Sequence, residues 1–348
     1  MLLKKIILHN FRNFTGNTFT FNPRLTFIFG KNARGKTNLL EAINFLLKGA
    51  GFRDTKEEEL IKLGELESTV EGELIGDNDS VSVRIDFAKK KLDLVKNFYL
   101  GKTRKIRNFY LKEVIPVVLF SPEQIEIIIG PPSLRRDYFD HLLSITDPVY
   151  KSRLNNYHQA LRKRNKILET IYDEAELREQ LLFWNKYLIE NGQYITKKRD
   201  EYAQFLNSHK RIDSKIFSIK YQKNEINLER IEEYFSEEKR LRRTIVGPQK
   251  DDFQIYLGEM NVNLYGARSE ERLAIFWLKL NELNFYEKIY GKKPILLLDD
   301  IFSELDKDNQ RLILLIIKDY QTVTTSTNRS LLDLIDFSDD GSYHTIDL

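Results

Sequence analysis

The chain has 348 residues, enough for two or three domains and at least one large core, with 41% hydrophobic residues, 31% charged residues and only 8 prolines. That composition describes an ordered, heavily charged protein and excludes a disordered or collagen-like one. Lysine and arginine total 55 against 52 acidic residues, so any nucleic-acid face must come from local clustering, and the lack of cysteine excludes disulfides, thiolate zinc sites and cysteine nucleophiles.

The five histidines stand far apart without metal-ligand spacing and read as structural. Apolar runs such as 312–317 fall far short of the ~18–20 residues a membrane span needs. The first residues, Met1-Leu2-Leu3-Lys4-Lys5, lack a signal-peptide layout, so a cytoplasmic protein without a membrane partner is expected.

In chain order, Leu2, Lys4, Ile6 and Leu8 step in register, 18–21 alternates, and Leu25-Thr26-Phe27-Ile28-Phe29 is an apolar strand ending at Gly30. A helix is predicted over 36–47, with Leu39, Leu40, Ile43, Leu46 and Leu47 on one face. Strands follow at 81–87 and in the apolar run 114–120. Over 133–211 the apolar spacing becomes three, four or seven, which predicts two long amphipathic helices. Strand patterning returns at 215–221, and 252–257 with 261–265 reads as a hairpin around Gly258. A helix from 270 to about 286 leads into the strand Ile295-Leu296-Leu297-Leu298, and a last strand lies near 322–324. The expected domains are a discontinuous α/β head (1–132 and 212–348, with a β subdomain around 66–110) and a helical lobe at 133–211.

Two segments carry chemistry. Gly30-Lys31-Asn32-Ala33-Arg34-Gly35-Lys36-Thr37 fits G-x-x-x-x-G-K-[ST] between a strand and a helix. Glycines allow a loop to wrap phosphate oxygens with backbone amides, and the following helix adds its positive end. Lys36 is expected to reach the β- and γ-phosphates of ATP, and the Thr37 hydroxyl to ligate Mg²⁺. The second segment is Asp299-Asp300 at the end of a buried strand, where α/β sheets place ligands. Asp299 is expected to hold the metal and Asp300 to polarise the attacking water. A two-metal nuclease also uses paired carboxylates, but it leaves the glycine loop unexplained.

Further segments resemble the RecF family of recombination mediators, whose ATPase head is related to SMC proteins and ABC transporters. They are Leu8-His9-Asn10-Phe11-Arg12-Asn13-Phe14, the glycine loop with Asn38-Leu39-Leu40-Glu41-Ala42-Ile43, and Phe120-Ser121-Pro122-Glu123-Gln124. Then come the stretch 130–140 with Ser133-Leu134-Arg135-Arg136, Val246-Gly247-Pro248-Gln249-Lys250-Asp251-Asp252-Phe253, and 298–306. The resemblance implies an ABC/SMC-type P-loop ATPase head with an inserted helical lobe. It implies that Arg12 approaches the nucleotide from the first hairpin and that Gln124 senses metal and γ-phosphate. Asn38 would join the nucleotide contacts, and Ser303 to Asp306 would form a loop crossing to a second subunit. Thr325 would stand at the switch position that ABC proteins fill with histidine.

The family signature S-x-G-[EQ]-Q-R reads here Ala267-Arg268-Ser269-Glu270-Glu271-Arg272. The missing hydroxyl at Ala267 and the added side chain at Ser269 predict weaker ATP-driven dimerisation or slower turnover. Implied partners are gapped DNA with single/double-strand junctions, RecR-type and RecA-type proteins, and a second copy of the chain in an ATP-dependent homodimer. The expected function is an ATP-dependent DNA-binding mediator that promotes RecA loading, with weak DNA-stimulated hydrolysis. The alternative is an ATP-binding interaction module with little or no hydrolysis.

Basic clusters at 89–91, at Lys102, Arg104, Lys105 and Arg107 beside Tyr99 and Phe109, and at 162–164 with Lys166 are candidate phosphate-tracking surfaces.

Overall fold

The computed structural model describes residues 1–53, 56–76, 79–90, 93–334 and 343–348. They form two compact units, 1–123 with 282–348 and 124–281.

The first unit begins with a hairpin of β1 (Leu2–Phe11) and β2 (Phe14–Thr20), followed by β3 (Leu25–Phe29) and helix α1 (Lys36–Lys48). Next come β4 (Glu67–Ile75), β5 (Ser80–Lys90), β6 (Asp93–Leu100), β7 (Thr103–Lys105), α2 (Arg107–Glu113) and β8 (Val117–Phe120). Buried and half-buried residues alternate along β4 and β5, as in an antiparallel sheet with one face on the core. By contrast β8 is buried at every position, as a strand covered on both faces must be.

The second unit contains α3 (Glu126–Ile129), α4 (Pro132–Thr146), α5 (Pro148–Thr170) and α6 (Glu174–Ser208). After β9 (Arg211–Ile212) and β10 (Lys215–Gln222) it adds α7 (Leu228–Glu233), α8 (Phe235–Leu241), β11 (Asp252–Leu257), β12 (Met260–Asn261) and α9 (Val262–Tyr265). Helix α10 (Arg268–Tyr290) runs through the boundary back into the first unit. That unit closes with β13 (Ile295–Leu298), α11 (Lys307–Ile316), β14 (Thr322–Ser326) and β15 (Tyr343–Asp347).

Three differences from the sequence reading have local causes. The helical stretch holds three long helices instead of two. Asp147 breaks it by accepting hydrogen bonds from the N–H groups of Val149 and Tyr150, with Pro148 at the first helical position. Residues 261–265 are mostly helical, because the Asn261 side chain accepts from Asn263 N–H and caps α9.

The compact units also do not follow the expected boundaries, since 212–281 groups with the helices. Buried ion pairs bind that stretch to them. Arg199 on α6 donates to both oxygens of Asp140 on α4, at 3.0 and 2.8 Å, and to Asp251 ahead of β11, at 2.8 Å. Arg164 on α5 reaches Glu238 on α8 at 2.5 Å, both fully buried. Arg135 grips Asp252 with two hydrogen bonds of 2.7 and 3.1 Å, so two of the family segments meet face to face.

The first unit carries two sheets. One is antiparallel, in the order β2-β1-β4-β5-β6-β7. The other is parallel, in the order β15-β3-β14-β13-β8. One apolar core joins them through α1, whose Leu39, Ile43, Phe45 and Leu46 are fully buried. This parallel sheet positions the site: β3 leads into the glycine loop, β13 ends at the aspartates, and β14 lies between them.

Candidate functional site: a phosphate loop facing an acidic strand end

The glycine loop takes its shape from its backbone. Gly35, the residue before α1, has φ +105°, and an added Cβ there would lie 2.6 Å from the Asn13 side chain. A Cβ on Gly30 would lie 2.7 Å from the Leu348 carbonyl oxygen, because β15 runs beside β3 and Leu348 N–H bonds to Phe29 O. Residues Lys31, Asn32, Ala33 and Arg34 are exposed at the crest of the loop. The buried Lys36 ammonium turns back into the loop and donates to the carbonyls of Gly30, at 2.7 Å, and Lys31, at 3.1 Å.

Across the sheet, the Thr37 hydroxyl donates to Asp299 Oδ1 at 3.0 Å, joining residues 262 positions apart. The Thr325 hydroxyl donates to the same oxygen at 2.8 Å and accepts from the Asp300 N–H at 2.9 Å. Burial pushes the Asp299 carboxyl above the usual carboxylate range, while the Thr325 and Thr37 hydroxyls pull it back. Burial also raises Asp300, and the nearby Lys36 ammonium opposes that shift. Asp300 has φ +49°, unusual for a residue with a Cβ, and its Oδ1 is buried with no hydrogen-bond partner among the described residues. Hydroxyl and carboxylate oxygens fit a hard divalent cation such as Mg²⁺.

The first hairpin contributes an arginine paired with α1. The Arg12 guanidinium forms a two-pronged pair with Glu41 of α1, Nε to Oε2 at 2.8 Å and an Nη to Oε1 at 3.1 Å. Glu41 is fully buried, so it needs the cation. The loop contact comes instead from Asn13, whose amide donates to Arg34 O at 3.3 Å and accepts from the Asn38 amide at 2.7 Å. Arg53 donates to Asn38 Oδ1 at 2.9 Å and lies 3.6 Å from Glu41. Sequence reasoning passed over Asn13, Glu41 and Arg53 as site residues, although Asn13 and Glu41 stand in the segments that carry the family resemblance.

Asp306 caps α11, accepting from the N–H and the side-chain amide of Asn309, both at 2.8 Å. Ser303 donates to Asp300 O at 2.7 Å. Gln124, Ala267 and Ser269 belong to the second unit. The Ala267 N–H donates to a Glu270 carboxylate oxygen at 2.8 Å, so this helix start is closed by a carboxylate.

The basic clusters also change character. Arg164 is a core residue, because its position on α5 turns it inward, leaving Arg162, Lys163 and Lys166 exposed. Arg107 donates to Lys48 O at 2.9 Å, and Arg84 stacks over the Tyr99 ring at 4.4 Å. Lys89 pairs with Glu58 at 2.7 Å, Lys90 is exposed, and Lys91 lies outside the described residues.

A phosphate loop between β3 and α1, an acidic pair on β13, and a β14 threonine bridging the gap define a P-loop ATPase head of the ABC/SMC class. The family described as AAA ATPase domain matches residues 1–336. The DNA replication and repair protein RecF of Caldanaerobacter subterraneus subsp. tengcongensis is 34% identical over 352 residues, covering 95% of each chain. A solved recombination mediator protein of the RecFOR pathway, RecF-ATP, is 30% identical with TM-score 0.77, covering 94% of this chain and 92% of that one. The Smc head domain from Pyrococcus furiosus shares the fold, with TM-score 0.54 at 18% identity over 96% and 92% of the two chains. The chain belongs to the RecF family of DNA replication and repair proteins.

Proposed function

We propose that this chain binds ATP·Mg²⁺ and uses it as a switch for DNA binding. Gly30 to Asn38 would cradle the phosphates, Lys36 would leave its two carbonyls for phosphate oxygens, and Thr37 with Asp299 would hold the metal. Mg²⁺, when bound, would neutralise phosphate charge. Asp300 would orient the attacking water. The observation that carries this reading is the Thr37–Asp299 hydrogen bond, which joins the two half-sites. Among the described residues no group of three or more His, Asp or Glu converges as a metal cluster. That suits a site whose remaining ligands are phosphate and water oxygens.

In this reading Gln124 senses the metal and γ-phosphate, and ATP draws two copies together head to head, with Ala267, Ser269 and Asp306 meeting the partner's nucleotide. The pair binds DNA at single/double-strand junctions, recruits RecR-type proteins and promotes RecA loading. Slow, DNA-stimulated hydrolysis then resets it. One observation favours a second reading, an interaction module that hardly hydrolyses ATP. Ala267 has no hydroxyl, and Glu270 already occupies its N–H. Losing a charge-assisted hydrogen bond costs about 1.5–3 kcal/mol, roughly ten- to a hundredfold in affinity per site.

The deciding measurement is binding of gapped DNA, with and without ATP, by the wild type and Lys36→Met side by side. ATP-enhanced binding by the wild type alone is expected. Equal binding by both proteins in every condition would remove the switch. Phosphate release then separates the two readings, since a protein that binds ATP and DNA without turnover is the module.

A further inference from the structure

We propose that Thr325 is a positioning residue that sets both aspartates of the site, acting through them without touching a phosphate. The inference rests on the ATP reading above. A residue at a strand end between the phosphate loop and the acidic pair would be expected to point toward the nucleotide, as a switch residue does. The structure turns this hydroxyl inward.

Thr325 is fully buried, and its one oxygen serves two neighbours. It donates to Asp299 Oδ1 at 2.8 Å and accepts the backbone N–H of Asp300 at 2.9 Å. A hydroxyl has one proton to give, so while it bonds Asp299 it has none to offer a phosphate. The position suits the task. On β14 Thr325 pairs with Ile28 of β3, and β13 flanks the other side of the same strand.

Each bond does separate work. The first fixes one oxygen of Asp299, which also receives the Thr37 hydroxyl, and so orients the carboxylate assigned to the metal. The second anchors the backbone where Asp300 adopts φ +49°. A side chain bearing a Cβ leaves that region readily unless neighbours hold it there. The Asp300 N–H would be left without this acceptor if the hydroxyl were removed, and the residue would relax toward negative φ, carrying its carboxyl off line. Ser303, donating to Asp300 O, holds the other side of the same residue.

The test uses the full-length chain with Thr325→Val, which keeps the branched shape and removes both bonds, and Thr325→Ser, which keeps the hydroxyl. Three readouts are taken on each: ATP affinity in EDTA, the gain in affinity on adding Mg²⁺, and the rate of phosphate release. For Thr325→Val, affinity in EDTA should stay within about twofold of wild type, while the Mg²⁺-dependent gain and the release rate fall by about ten- to a hundredfold. Thr325→Ser should restore both to within a few-fold. Loss of EDTA affinity comparable to that of Lys36→Ala would mean direct nucleotide contact and overturn the proposal. So would a Val variant that matches wild type, or a Ser variant as impaired as Val; the Ser result decides if Val fails to fold. A wild type that binds no ATP at all would strike the ATP reading itself, a distinct result.

Discussion

Asp140 and Asp251 in the second unit and Asp299 in the first are buried carboxylates, with Asp300 half-buried beside the last, but their surroundings differ. In the second unit a single guanidinium, Arg199, bonds both acids. Tyr150 and Tyr221 add hydroxyl donors to Asp140 and Asp251 respectively. Burial pushes Asp251 up and Arg199 pulls it back. In the first unit Asp299 is hydrogen-bonded by two neutral hydroxyls and feels Arg53 only through its charge, while the Lys36 ammonium near Asp300 hydrogen-bonds to backbone carbonyls. A paired set of charges holds a fold together, whereas acids left with neutral donors favour binding a cation. The comparison separates an ion-paired cluster from one held by neutral donors where the sequence shows only acidic residues.

The largest expected effect tests the structural side. Arg199→Met removes the cation shared by two buried acids and should destabilise the protein by about 3–5 kcal/mol, measured by urea or thermal denaturation. A loss under 1 kcal/mol would show that the acids find other partners.

The reactive side should respond in the opposite sense. Asp300→Asn should lower phosphate release at least about a hundredfold while leaving the melting temperature equal or higher. The sign follows from the raised folded-state pKa of Asp300. Between the ordinary carboxylate range and that raised value the native state holds the proton that the unfolded state has lost. Stability therefore falls as pH rises through this window. Asparagine removes that penalty, so the stability gain should appear near neutral pH and vanish in acid. A variant that melts well below the wild type at pH 8 would place Asp300 with the structural acids.

The smallest effect concerns surface charge. Arg162→Glu and Lys163→Glu should each weaken DNA binding modestly and flatten its log–log salt dependence by about one, without changing stability. Arg164→Leu, one residue along, should instead unfold the helical unit, because Glu238 would be left buried and unpaired. Identical behaviour of all three would mean that burial does not sort these cations.

Much of the first unit was legible because its signals are local. Five apolar residues ending at Gly30, the spacing from Gly35 to Leu47, and four apolar residues before Asp299 each state an element and its end. Strands β6, β7 and β15 were harder to read, since short polar stretches such as Thr103–Lys105 become strands only by pairing with a neighbour. The family segments were visible as strings, but nothing in a string shows that Arg135 and Asp252 grip each other or that Arg12 pairs with Glu41.

By itself the sequence determined the nucleotide loop and the acidic strand end, because glycine's backbone freedom and apolar strand patterning act locally, and it showed the family through the resemblance of its segments. Only the tertiary structure decided which charges are neutralised and which remain open for chemistry. Charge pairing depends on distances between residues far apart in the chain, and those distances exist only once the strands and helices have packed.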